Sequence, residues 1–255
     1  MKIKVSIGNS RMDKKWRLSE MELDEFRDRI FQTKVTAETL AEFKKMPKAQ
    51  QDAIKDIGGF VLGTLKGGRR KKDCVLTRSA LSLDMDYASP EVIEQVEMFF
   101  SFRCYFYSTH KHTPEAPRLR LIIPLSREVG PDEYMAVARK VAEEIGIEQF
   151  DDTTYEPSRL MYWPSTSSDG EFVCKEIDGD ILDPDTILAK YTDWRNTAEW
   201  PVSRRQQVIV QREIKKQADP LTKAGMVGAF CRAYSITAAI DTFLPDVYKH
   251  SSIPR

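Results

Sequence analysis

The segment LSLDMDYA places Asp84 and Asp86 two residues apart at the end of an alternating apolar run, and YSTHKHT places His110 and His112 at the same spacing. Side chains at i and i+2 of a strand share a face, so each pair points two like groups one way. Paired carboxylates are hard oxygen donors suited to Mg²⁺ or Mn²⁺, and imidazoles suit a phosphate or a metal. Like charges about 7 Å apart on one face repel, and a divalent cation cancels that repulsion. The chemistry implied is that of an enzyme acting on phosphate esters. Taken alone, an Asp-x-Asp is most often a turn and a His pair most often an exposed loop; their position after strand-like runs argues for more.

Further charged groups follow. RLRLIIPL sets Arg118 and Arg120 on the face opposite Leu119 and Leu121, and guanidinium forks match phosphate oxygens bidentately. FDDTTYEPSR carries Asp151, Asp152 and Arg159. A third carboxylate from this segment would complete a two-metal site, in which one ion activates a 3′ hydroxyl and the other holds the leaving pyrophosphate; equally, the segment reads as an Asp-rich loop preceding a strand. KGGRRKKD gathers Lys66, Arg69, Arg70, Lys71 and Lys72 around two glycines. Such a run contacts a nucleic-acid backbone or is simply a solvated hairpin. Gly67-Gly68 lacks the spacing of a Walker loop.

The elements that must position these groups are legible from periodicity. KIKVSIG is a short strand. A helix over LSEMELDEFRDRIF starts at a Ser19 N-cap. Two more helices cover TAETLAEFKKM and KAQQDAIKDI, the second stopped by Gly58-Gly59. GFVLGTL is a strand, and CVLTRSALSLDMD a long strand with Leu81, Leu83 and Met85 facing one way and Ser82, Asp84 and Asp86 the other. Pro90 opens a helix; RCYFYSTH, RLRLIIPL, RLMYWP and EFVCKEI are strands; PDEYMAVARKVAEEIG is an amphipathic helix ended by Gly146. The result is an α+β sheet with helices packed on one face and a polar face open as a platform for a polymer. Residues 1–192 form the catalytic domain with its N-terminal helical part, 193–217 a basic linker helix, and 218–255 a helical connector.

The 255 residues suffice for one sizeable core with a small appendix. Lys plus Arg and Asp plus Glu are 39 each, a neutral balance that excludes a globally basic nucleic-acid coat protein. Cys74, Cys104, Cys174 and Cys231 lack C-x-x-C spacing, so they read as reduced, mostly buried thiols and not a zinc site. With no apolar stretch near the ~20 residues of a membrane span and no signal-peptide pattern, a soluble cytoplasmic protein is expected.

Assembled, these residues make the chain resemble an archaeo-eukaryotic-type primase-polymerase domain. More closely, it is similar to the N-terminal region of the virulence-associated-E-like replication proteins of phages and mobile elements. The family's acidic pair is matched by Asp84 and Asp86, its Ser-x-His by Ser108-Thr109-His110, and its later aspartate by Asp151 or Asp152. The resemblance implies an RRM-like core sheet and template-directed nucleotidyl transfer, making and extending primers on single-stranded DNA. It also implies two Mg²⁺ or Mn²⁺ ions held by Asp84, Asp86 and one of Asp151 or Asp152. Ser108, His110 and Arg120 would meet the nucleoside triphosphate, with His112, Arg118 and Lys66 as further candidates. In longer relatives a helicase domain follows, and the segment from about residue 218 resembles the connector to it. Two rivals are a His-x-His replication-initiator nuclease with Tyr134 as nucleophile, and a non-catalytic DNA-binding replication module.

Overall fold

Strand β6 (Val75–Met85) carries the alternation read from the sequence, with Leu81, Leu83 and Met85 fully buried on one face and Ser82 and Asp84 on the other. In this computed structural model, residues 1–209, 221 and 225–245 are described. β6 pairs antiparallel with β8 (Leu119–Val129), and β8 with β7 (Cys104–Ser108). β5 (Gly63–Leu65) and β11 (Cys174–Ile177) complete a five-stranded sheet of order β11-β7-β8-β6-β5. Helices α4 (Val92–Phe99), α5 (Pro131–Ile145) and α6 (Pro184–Leu188) cover the face of Leu81 and Leu83. Val96, Val137, Val141 and Leu188 join Phe106, Leu121 and Ile123 there in one core. α5 begins at Pro131, with the Glu133 carboxylate accepting from the Gly130 N–H at 2.8 Å, and stops at the left-handed Gly146. The fold is α+β.

The opposite face is not the open platform expected. A second sheet of order β2-β1-β4-β9 packs on it, built from β1 (Lys2–Gly8), β2 (Arg17–Glu22), β4 (Gly59–Val61) and β9 (Met161–Tyr162). With α1 (Leu23–Ile30) it buries Ala80, Tyr105, Tyr107 and Ile122 against Ile3, Val5, Ile7, Phe26 and Phe60. The helix expected from Ser19 therefore starts only at Leu23. Residues 17–22 are instead a strand, because β1 supplies a full antiparallel partner from Glu22 to Arg17. Helices α2 (Leu40–Lys45) and α3 (Lys48–Lys55) form where expected, α2 with a Thr39–Glu42 capping box. A small parallel pair joins β3 (Lys34–Val35) to β10 (Ser165–Thr166).

The run GFVLGTL divides after Val61, β4 going to the second sheet and β5 to the first. Gly63 makes the crossing with φ +152°, and a Cβ there would lie 1.9 Å from the Thr77 carbonyl oxygen. Gly63→Ala is expected to cost about 2–3 kcal/mol, read as a lower urea midpoint.

The chain divides into two compact units, Met1–Arg204 and Arg205–Arg255. In the second, α7 (Gly225–Ala233) and α8 (Ile236–Phe243) form the expected helical pair, with the rings of Phe230, Tyr234 and Phe243 in mutual contact. The parts of the basic linker helix and of the connector that fall at 210–220, 222–224 and 246–255 lie outside the described residues. Of the four free cysteines only Cys104 is buried, and Cys174 is exposed, so the thiols are not mostly interior. Among the described residues no helix is long and apolar enough to cross a membrane.

Candidate active site

Register builds the centre of the site. Asp84 on β6 faces Arg120 on β8, and Arg120 faces Tyr107 on β7, so the three side chains form one row across the sheet. Arg120 Nε donates to Asp84 Oδ1 at 2.7 Å, and its Nη1 donates to the Tyr107 hydroxyl at 2.7 Å and the Tyr162 carbonyl at 2.8 Å. Burial opposes the charge of Arg120, but Asp84 and Tyr107 overcome it and hold the guanidinium protonated. Burial pushes the Tyr107 hydroxyl up to about 12, against the pull of Arg120. Arg120, which the sequence offered as a phosphate ligand, lines the cleft with its Nε and Nη1 engaged by Asp84, Tyr107 and Tyr162.

The loop after α5 brings the third acid. The Asp151 N–H donates to the Asp84 carbonyl at 2.9 Å, and the Asp84 N–H donates to Thr154 Oγ1 at 2.7 Å, stitching the loop to the end of β6. Asp151 accepts from Arg159 Nη2 at 2.9 Å, while Asp86 meets Arg118 Nη1 at 2.9 Å. Buried Arg78 fastens the same loop from behind: its Nη1 donates to the Pro157 carbonyl at 2.6 Å, and its Nε to that of Leu62 at 2.8 Å. Asp152 faces away, accepting from Ser203 Oγ, and does not line the cleft. Of the two adjacent aspartates, Asp151 is the one that lines the cleft.

His110 lines the cleft with both ring nitrogens engaged, Nε2 with Glu38 Oε1 and Nδ1 with Ser165 Oγ, each at 2.9 Å. Burial lowers the His110 pKa, with Glu38 opposing. Glu38 itself stays below its usual range despite burial, helped by Thr36 and by His110. A neutral imidazole donating from Nε2 and accepting at Nδ1 satisfies both partners. A group whose folded pKa lies below its unfolded value of about 6.5 contributes stability above that value, and the contribution is lost as pH falls. Unfolding free energy is therefore expected to drop between pH 8 and 5.5, and His110→Asn to flatten that part of the slope in urea titrations.

Several other residues singled out in the sequence do not line the cleft. His112 is buried in the turn, where Nδ1 accepts from the Arg118 N–H at 3.2 Å, and it does not reach the cleft. Lys66 is exposed outside it, as are Arg69, Lys71 and Lys72. Arg70 alone of that run lines the cleft, its guanidinium 5.3 Å from the Trp16 ring. Tyr134 is fully buried beneath the sheet, with its hydroxyl donating to the Ser82 carbonyl at 3.2 Å, so it cannot serve as a nucleophile on DNA.

The cleft measures about 750 Å³. Beside Asp84, Asp86, Asp151, Ser108 and His110 it takes in Arg11, Lys48, Asp52, Lys55 and Tyr162, which sequence reasoning had passed over. No local pattern marks those residues; the second sheet and α3 carry them to the site. The carboxylates suit a hard divalent ion in type. Among the described residues, however, no three acidic, His or Cys groups gather at metal-ligand spacing, and each cleft acid of the trio is paired to an arginine. Asp84 Oδ2 lies 3.7 Å from Arg159 Nε.

The family model of the VapE N-terminal domain matches residues 1–203. The chain belongs to the VapE N-terminal domain family. The resemblance read from Asp84, Asp86 and Ser108-Thr109-His110 is thereby borne out at the level of the family, and the VapE N-terminal domain here spans both sheets and the whole cleft. Among solved structures, the archaeo-eukaryotic primase (AEP) domain of the cyanophage S-2L primase-polymerase is similar at 14% identity and a TM-score of 0.39, over 74% of this chain and 87% of that one. No curated protein matches the chain.

Proposed function

We propose that this VapE N-terminal domain is a primase-polymerase: it joins nucleotides on a single-stranded DNA template and serves replication of a phage or mobile element. The observation that carries the reading is the meeting, on one cleft, of Asp84 at the end of β6 and Asp86 just after it with Asp151 from a segment far along the chain, each beside a guanidinium. Asp84, Asp86 and Asp151 would hold Mg²⁺ or Mn²⁺, which when bound supplies charge neutralisation at the reacting phosphate. Arg118 and Arg159, partly exposed, are then available to the phosphate oxygens, while buried Arg120 keeps Asp84 aimed. Ser108 and His110 shape the floor, and Arg70 flanks the template side of the cleft. Catalysis of this kind is positioning and charge stabilisation, so it uses neither a covalent nucleophile nor a cysteine. In a longer protein a helicase domain is the expected partner.

The test is incorporation of labelled nucleoside triphosphates on unprimed and primed single-stranded DNA with Mg²⁺ or Mn²⁺. Template-dependent products are expected with one or both ions. DNA binding without any incorporation and without metal-dependent nucleotide binding would leave the non-catalytic module as the better reading.

A further inference from the structure

The acids and arginines at the end of β6 cancel one another pair by pair. The remaining charged residues of the cleft are Arg11, Lys48, Lys55, Arg70 and Lys111 against Asp52 and Glu156. The positive excess of the site therefore lies away from the acids, most of it on a wall built by α3 and the loop before β2. Three of these cations share one carboxylate: Asp52 Oδ1 meets Lys48 Nζ at 2.6 Å and Lys55 Nζ at 3.3 Å, and Oδ2 meets Arg11 Nη1 at 3.1 Å. The bond from Lys48, joined by Lys55, presses Asp52 down to about 2. Burial lowers Lys55, and its neighbours Lys48 and Lys111 add to this. Crowding cations around a single carboxylate leaves repulsion that a polyanion would relieve.

The wall is also held in place. Asp56, at the end of α3, accepts from Ser10 Oγ at 2.6 Å and from the Arg11 N–H at 2.8 Å, and Asp13 accepts from the Asn9 N–H at 2.7 Å. Lys55 lies 5.9 Å from the Tyr162 ring, whose backbone carbonyl binds Arg120. The wall is thus continuous with the acidic end of the cleft. Cations drawn around one point suit a short, dense chain of phosphates better than an extended nucleic-acid backbone, which calls for charges strung along a track.

We infer that the α3 wall is a polyphosphate subsite: Arg11, Lys48, Lys55 and Lys111 hold the phosphate chain of a nucleoside triphosphate, which competes with Asp52, the anion that neutralises three of these cations until it arrives. This rests on the nucleotidyl-transfer reading and names which wall takes the phosphates.

Calorimetric titration of the full chain with inorganic triphosphate, in chelator, tests it without turnover. Lys48→Ala, at a side chain 74% exposed, is expected to weaken binding several-fold with an unchanged melting temperature. Lys48→Ala/Lys55→Ala should weaken it at least tenfold. Asp52→Asn should tighten it, because a competing anion is gone, whereas a merely structural Asp52 would make the variant bind worse. A parallel titration with single-stranded DNA separates the two phosphate sources. Undiminished triphosphate binding in the double variant, weaker binding in Asp52→Asn, or loss confined to DNA would each overturn the assignment. Lysine-dependent triphosphate binding in a protein that never incorporates nucleotides would refute the polymerase reading while leaving the subsite standing.

Discussion

Asp84→Ala is expected to destabilise the domain by about 3–5 kcal/mol, because it strands the Arg120 guanidinium, buried, beside a removed partner. Nothing else in the row carries a negative charge: Tyr107, pushed up to about 12, is neutral at pH 7, and Tyr162 offers only a carbonyl. The cost should disappear in large part when Arg120→Met is added, since an apolar pair of similar volume replaces a charge pair that was expensive to bury. A double-mutant cycle read by urea unfolding checks both statements. If Asp84→Ala alone unfolds at the wild-type midpoint, Arg120 is not held as described. The rescued double variant should nevertheless stay inactive, separating the structural duty of Asp84 from its chemical one.

Asp86→Ala and Asp151→Ala are expected to lower nucleotide incorporation at least about a hundredfold while shifting the melting temperature by only a few degrees. Both carboxylates are partly exposed and pair with partly exposed arginines, and such pairs contribute roughly 0–1 kcal/mol to stability. Asp152→Ala, whose carboxylate faces Ser203 and not the cleft, should retain incorporation. Steady-state extension of a labelled primer, with thermal unfolding run on the same samples, distinguishes the three. Equal losses at Asp151 and Asp152 would mean that the loop, not the inward carboxylate, matters.

Strict alternation made β6 and β8 legible, and with them the placement of Asp84 and Arg120 on one face. Their partnership was not legible, because facing positions in an antiparallel pair depend on register, which the two strands do not disclose separately. Arg120 and Arg118 look alike in RLRL, yet one is buried beneath Tyr162 and the other half-exposed beside Asp86. That Asp151 and not Asp152 lines the cleft depends on how this segment packs against the end of β6, a contact between distant segments. KAQQDAIKDI read only as a helix, with no role for its cations, and the strand at 17–22 as the start of one. Both look different only once β1 and the cleft supply their partners. His110 was found from its motif, but its flanking Glu38 and Ser165 lie 72 and 55 residues away, beyond any local pattern.

The pairing of β4 with β9 joins Gly59 to Tyr162, so the second sheet closes only when the chain has been made past that point. A nascent polypeptide ending before residue 161 already contains Asp84, Asp86 and Asp151 but lacks the strand and the carbonyl that seat Arg120. Contacts of such long sequence separation form late and slowly. The emerging domain therefore acquires its charged residues well before the strand that seats Arg120, and a ribosome-stalled fragment of that length would lack the ordered row of Asp84, Arg120 and Tyr107.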